Sequence, residues 1–343
     1  MSFKIIRNDI TKVRADAIVN TANPEPVTGS GTDGAIYKAA GEDLLLAARK
    51  KIGRIEPGEA AYTPAFGLDA DYIIHTVGPV WRGGGYGEES ILRSCYENSL
   101  SLSEKLGCKS AAFPLIATGV YGFPKELALD IAMSCIGKFL LTHDMKITVV
   151  VFDRSSYALS SSLVNGIEQY IDDHGADVAF HEEYGEDHFR RMTAAEEARR
   201  IEKIRKKELS DNGIPDLSGK TLEETVGLKG ESFAERLFKL IDESGMDDVT
   251  VYKKANVDRK VFSSIRCKKN YKPKKTTAVA FAIALELDLP ALKDLLATAG
   301  IAFTSSNTFD LIISYFVTVK NYNIFDINGA LFRYGQPQLS TEE

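Results

Sequence analysis

Asp16-Ala17-Ile18-Val19-Asn20-Thr21-Ala22-Asn23, followed by Gly29-Ser30-Gly31-Thr32-Asp33-Gly34-Ala35-Ile36, decides how the first half of the chain reads. A short apolar run bounded by polar residues is the pattern of a buried strand. Here it runs into glycines and then into a helical pattern. Tyr72-Ile73-Ile74-His75, Ser110-Ala111-Ala112-Phe113-Pro114 and Ile147-Thr148-Val149-Val150-Val151-Phe152 repeat the strand pattern, and an opening strand precedes Asn8. Helix-like segments near 33–51, 88–107 and 125–143 lie between them. Such alternation predicts a layered α/β domain with a largely parallel sheet. A second glycine-bearing loop, Leu115-Ile116-Ala117-Thr118-Gly119-Val120-Tyr121-Gly122-Phe123, leaves strand 110–114 in the same way. Glycines let backbone N–H groups approach an anion, and a helix N-terminus adds a favourable dipole. Two such loops at the carboxyl ends of the strands would clamp a diphosphate. Neither carries the Lys of a P-loop or the dinucleotide-binding glycine fingerprint, which argues against a nucleoside triphosphatase or a dehydrogenase. On these glycines alone, simple tight turns remain an open reading.

The remaining composition sets bounds. A chain of 343 residues suggests two domains, and 44% hydrophobic with 26% charged residues excludes wholesale disorder or a fibrous rod. No apolar stretch reaches the roughly 18 residues of a membrane span, and Met1–Arg7 is charged too early for a signal peptide. Cys95, Cys108, Cys135 and Cys267 lack metal or redox spacing and fit reduced thiols, so the expected compartment is cytoplasmic. The net charge of −6 gives no global reason to expect nucleic acid. Residues 1–175 hold 17 Lys+Arg against 21 Asp+Glu, a net of −4. The expected division is an α/β domain over 1–175, a charged and partly helical linker over 176–230, and an all-α domain over 231–343. In the linker, Glu182, Glu183, Glu186 and Asp187 form an acidic patch, and Thr193 with Glu196 looks like a capping box.

Taken in order, Asp9-Ile10-Thr11, the Asn20–Asn23 tetrad, Asp33 in its glycine-bearing loop, Ile74-His75-Thr76-Val77-Gly78-Pro79 and Thr118-Gly119-Val120-Tyr121-Gly122 resemble the macro domain, an ADP-ribose-binding family, over about residues 1–175. The resemblance implies a three-layer α/β/α sandwich with a mixed central sheet. It also implies roles. Asp9 would accept a hydrogen bond from the adenine amino group, with Ile10 contributing its backbone N–H. Asn23 would bond the distal ribose. Gly31 and Thr32 would form the first phosphate loop. Thr118, Gly119, Val120, Tyr121 and Gly122 would form the second, with Tyr121 also covering the distal ribose. Phe152 would stack on adenine.

Asp33 decides between a reader and an enzyme. The resemblance is to the hydrolytic MacroD-type branch, where a matching Asp lies beside the distal ribose. A carboxylate there can orient or deprotonate a water and stabilise positive charge on the anomeric carbon. Asp33, with Asn23, is therefore the expected catalytic pair for removing ADP-ribose from protein side chains or cleaving an ADP-ribose ester. Equally, Asp33 is placed to cap the helix expected to begin at Gly34. The alternative is a sensor of ADP-ribose without turnover. The sequence departs from the hydrolytic pattern at Ser30 and Thr32, which interrupt the glycines, at Ala117 where Ser is common, and at Tyr37 where His is frequent. The zinc-dependent subtype needs Cys or His in the early loop; residues 24–60 contain neither, so neither metal nor cofactor is expected. His75 reads as a satisfied structural histidine.

The second half has its own feature. Residues 251–275 hold ten Lys and Arg (Lys253, Lys254, Arg259, Lys260, Arg266, Lys268, Lys269, Lys272, Lys274, Lys275) against one acid, Asp258. Residues 249–266 read helix, short turn, helix, with Ala255 before the turn, Val257 plugging it, and Phe262 and Ile265 facing inward. Over about 233–299 this looks like a repressor-type helix-turn-helix domain, which implies DNA as a partner through 251–275. Asn256 stands where Gly is common, and a solvated basic face on a protein-binding domain is the alternative. Further helices are expected at 276–287, 291–299, 307–319 and 323–334, and oligomeric state is not legible.

Overall fold

In the computed structural model of the chain, residues 2–152, 166–171, 230–268 and 271–339 are described. The linker features at 182–187 and 193–196, Lys269 and the tail from 340 lie outside the described residues. The apolar runs become strands as expected: β1 (Ser2–Arg7), β2 (Ala17–Thr21), β4 (Tyr72–Thr76), β5 (Ser110–Pro114) and β6 (Lys146–Val151). A further strand, β3 (Ala60–Pro64), was not expected. The six form one sheet in the order β1-β6-β5-β2-β4-β3. All neighbours are parallel except β3, which runs antiparallel to β4, so the sheet is mixed.

The central strands β2, β4 and β5 are buried on both faces, which explains their near-continuous apolar runs. On one face Ile18, Ile73, Ala112 and Val150 pack against Ile36, Tyr37, Ala40 and Leu45. These last come from α1 (Gly31–Ala40) and α2 (Glu42–Ile52). One long helix was expected over 33–51. Gly41 interrupts it at φ +98°, a conformation for which side chains other than glycine are poorly suited. The helix also starts earlier than expected. Its N-cap is Ser30, so Asp33 stands in the first turn rather than at the cap. The opposite face is covered by α3 (Glu88–Lys105) and α4 (Lys125–Thr142). There the Tyr96 and Phe113 rings stack at 5.8 Å, and the Tyr96 hydroxyl donates to Pro114 O.

Residues 166–171 are helical, and from residue 230 onward the described chain carries helices only: α5 (Phe233–Ser244), α6 (Asp248–Lys254), α7 (Arg259–Cys267), α8 (Lys275–Ala284), α9 (Leu289–Thr298), α10 (Thr308–Thr318) and α11 (Ile324–Arg333). Their starts carry the expected chemistry. Ser232 and Glu235 make a reciprocal capping box, and Asp288, Asn307 and Asn323 cap α9, α10 and α11. No helix among the described residues is long and apolar enough to cross a membrane.

The chain forms two compact units, and neither is a continuous stretch. One comprises Met1–Ser161, Tyr252–Arg259 and Asn323–Glu343; the other comprises Ser162–Val251 and Lys260–Tyr322. Hydrogen bonding explains why two remote segments join the sheet unit. β1 is an edge strand, and side-chain amides complete its outer edge. Asn256 Oδ1 accepts from Phe3 N (2.7 Å) while its Nδ2 donates to Phe3 O (2.9 Å) and Leu339 O (3.0 Å). Two residues along, Gln338 Oε1 accepts from Ile5 N (3.0 Å) and its Nε2 donates to Ile5 O (2.7 Å). Each amide does the work of a peptide group in a missing seventh strand, which blunts an edge that would otherwise template association. Phe325 of α11 adds an edge-on ring contact to Phe3 at 5.0 Å. In the helical unit, α8 is buried along Thr277–Ala284, with Phe262, Leu292, Leu295 and Phe316 also in the core.

Candidate active site

Adjacent parallel strands β2, β5 and β6 end on the same side of the sheet, and a cavity of about 460 Å³ opens there. Its walls are the two glycine loops. Asn23, Gly29, Ser30, Gly31, Thr32 and Asp33 come from the first, and Ala117, Thr118, Gly119, Val120 and Tyr121 from the second. Val150, Val151 and Phe152 close a third side.

The backbone of both loops is arranged to receive negative charge. Ser30 makes no side-chain cap to α1, and residues 29–33 at the start of that helix line the cavity, where a helix N-terminus favours an anion. In the second loop, no group among the described residues accepts from the amides of Thr118, Gly119, Val120 and Tyr121. That loop is held from behind: Phe123 N donates to Ala117 O (3.0 Å), Gly122 N to Gly119 O (3.0 Å) and Trp81 N to Tyr121 O (2.9 Å). Gly78 makes the close approach feasible. A Cβ there would lie 2.7 Å from the Ala117 Cβ. Ala117 itself sits at φ +63°, a local strain of about 1 kcal/mol for an L-residue.

Asp33 is 3% exposed and is fixed on both oxygens. Asn20 Nδ2 donates to Oδ1 (2.6 Å) and Gly29 N donates to Oδ2 (2.6 Å). Burial pushes its carboxyl above the usual aspartate value, against the pull of those two hydrogen bonds and the charge of Arg49. At Gly29 any larger residue would have to displace the site side chains. A Cβ there would meet Asn23 Nδ2 at 2.6 Å and Asp33 Oδ2 at 2.8 Å. The same numbers show how tightly Asn23 and Asp33 crowd around one backbone atom.

Beneath them lie Arg49, which the sequence did not single out, and His75, which it read as a satisfied structural histidine. Arg49, buried on α2, donates to Gly53 O (3.0 Å) and Asn23 O (3.4 Å) and is hydrogen-bonded to the Tyr37 hydroxyl. His75 has both ring nitrogens engaged, with Asn20 Nδ2 at 3.2 Å from Nδ1 and Thr63 Oγ1 at 3.0 Å from Nε2. Burial, then the Arg49 charge, pushes His75 down to about 3, so it is neutral at ordinary pH.

A model of the macro domain family matches residues 19–132, which contain both loops. The chain is 48% identical over 139 residues to a protein of Citrobacter rodentium named O-acetyl-ADP-ribose deacetylase, covering 78% of that protein and 40% of this chain. The chain belongs to the macro domain family. It is also 49% identical over 146 residues to a macro domain-containing protein of Methanosarcina mazei, covering 78% of that protein. A Cronobacter sakazakii protein, likewise named O-acetyl-ADP-ribose deacetylase, is 41% identical over 177 residues, covering 97% of that protein and 50% of this chain.

Within the macro domain, the cavity gathers Asn23, Gly31, Thr32, Asp33, Thr118, Gly119, Val120, Tyr121 and Phe152 of the expected site. Three expected residues do not line it: Asp9, Ile10 and Gly122. Asp9 caps a 3-10 turn, its Oδ1 accepting from Thr11 N and Thr11 Oγ1 (3.0 and 2.7 Å), which holds its carboxyl below the usual range. Ile10 is buried in the core. Gly122, at φ +65°, turns the second loop. Missed residues on the wall include Thr21, Leu115 and Lys125, the first residue of α4. Lys125 had a signal, since it follows the Pro that ends the loop.

The basic stretch 251–275 is partly committed elsewhere. α6 and α7 do form helix, turn and helix, and Ala255, Val257, Phe262 and Ile265 are buried as expected. Asn256 takes the turn position at φ +55°, which Asn tolerates better than most side chains. Lys253 Nζ donates to Leu141 O, Arg266 pairs with Asp248 (2.6 Å) and lies over the Phe238 ring, and Lys275 pairs with buried Asp310 (2.6 Å).

Proposed function

We propose that this macro domain binds ADP-ribose and hydrolyses a bond at its distal ribose, either an O-acetyl ester or the link to a protein side chain. The observation that carries the reading is Asp33: a buried carboxylate on the cavity wall, its oxygens accepting from Asn20 and Gly29, beside the two glycine-bearing loops that line the same cavity. The diphosphate would lie between the α1 N-terminus and the amides of 118–121. Phe152, 79% exposed at the end of β6, offers an open ring face for adenine. The distal ribose then reaches Asn23 and Asp33. The raised proton affinity of Asp33 suits a base that orients a water and takes its proton as the water attacks. The names of the bacterial relatives support an ester substrate.

A second reading has its own observation. Both Asp33 oxygens already accept a protein hydrogen bond, so the carboxylate would equally serve as a strut that shapes a binding-only pocket. Turnover assays on O-acetyl-ADP-ribose and on mono-ADP-ribosylated protein, run beside calorimetry with ADP-ribose, separate the two. Release of ADP-ribose supports the enzyme, and saturable binding without release supports the reader. The DNA reading of 251–275 is weakened because Lys253, Arg266 and Lys275 have intramolecular partners. Salt-dependent duplex binding by the full chain would revive it.

A further inference from the structure

Behind Asp33 runs a continuous buried chain of polar side chains: Asp33 on α1, Asn20 on β2, His75 on β4 and Thr63 on β3. None of the four is more than 3% exposed. Parallel register places Asn20 beside His75, and antiparallel register brings β3 alongside β4. One detail reveals which groups set the geometry. Asn20 Nδ2 serves two acceptors, Asp33 Oδ1 at 2.6 Å and His75 Nδ1 at 3.2 Å, while Asn20 Oδ1 is buried without a partner among the described residues. A buried unpartnered oxygen is costly, by about 1–3 kcal/mol. The amide nevertheless keeps this orientation, because turning it over would set its oxygen against the Asp33 carboxylate. His75 completes the lock. Being neutral, it carries one ring proton; with Nδ1 accepting from Asn20, that proton sits on Nε2 and is donated to Thr63 Oγ1.

We propose that His75 is a positioning residue of this site: by accepting the second Nδ2 hydrogen of Asn20, it keeps that amide donating to Asp33 and leaves the cavity-facing lone pairs of the carboxylate to the reacting water. The catalytic part of the role rests on the hydrolase reading; the hydrogen-bond pattern does not. Other groups acting on Asp33 are Gly29 N, Arg49 from α2, Tyr37 from its own helix and Tyr121 from the second loop. None of these contacts Nδ2 of Asn20, so none replaces His75.

The test uses the full chain. His75→Leu removes the acceptor, and His75→Gln restores both an acceptor and a donor. The expected result for His75→Leu is a kcat lower by about tenfold or more with ADP-ribose affinity within about twofold. Its acid limb should also move to higher pH, because Asp33 loses a donor that favours the ionised form. Gln recovers most of both. Unchanged kcat and pH profile in the Leu variant, or equal loss in a folded Gln variant, overturns the proposal. If wild type turns nothing over, the hydrolase reading fails and the ring itself decides. Side-chain ¹⁵N NMR of the wild type should show His75 protonated on Nε2 with Nδ1 bare at neutral pH, and the opposite tautomer overturns the proposal.

Discussion

Replacing Asn256 by Ala tests whether a turn far along the chain is part of the sheet unit. The wild-type side chain makes three hydrogen bonds, to Phe3 N, Phe3 O and Leu339 O, at a position only 2% exposed. Their net worth is about 1 kcal/mol each, and stranding the Phe3 N–H in the interior adds to that. Ala also fits the left-handed backbone at φ +55° less well than Asn, by roughly 1 kcal/mol. The expected destabilisation is about 3–5 kcal/mol, a large share of an ordinary domain's stability. Trp81, the single tryptophan, lies in the sheet unit and reports its unfolding by fluorescence in a urea titration. Asn256→Gly is the internal control. It keeps the backbone conformation and loses the bonds, so it should be milder than Ala by about 1 kcal/mol. A loss below about 1 kcal/mol for Ala, or Gly as damaging as Ala, would refute the edge-completion argument.

Three further outcomes concern the site. Gly29→Ala puts a Cβ against both Asn23 and Asp33, so ADP-ribose affinity by calorimetry should fall by about tenfold or more while the fold persists. Phe152→Ala should weaken ADP-ribose by roughly three- to tenfold and leave ribose 5-phosphate unaffected, since only the former has adenine to stack. The kcat/KM profile should lose activity on the acid side as Asp33 takes up a proton, because the reaction needs the ionised form. Burial places that limb above the ordinary aspartate value of 3.8, and a limb at or below that value would contradict it.

Legibility in the sequence followed locality. The buried strands and both glycine loops were readable because each is a short pattern of neighbouring residues. β3 was not, because an edge strand with a single buried side chain, Thr63, lacks a sustained apolar run. The break at Gly41 hid inside an otherwise helical stretch. Asn23 and Asp33 stood out through their motifs. His75 stood out only as a satisfied structural histidine and Arg49 not at all, because their partners are supplied by strand register and helix packing. The bonds of Asn256 and Gln338 to β1 span 253 and 333 residues, a relation no local pattern encodes.

The central claim is that Asp33 acts in chemistry rather than in shaping a pocket. Single-turnover hydrolysis of O-acetyl-ADP-ribose by wild type and Asp33→Ala, with ADP-ribose affinities measured on the same preparations, tests it most directly. The account predicts ADP-ribose affinities within about threefold of each other and release of acetate by wild type alone. Wild type that binds but never releases acetate, or an Ala variant as fast as wild type, would contradict it.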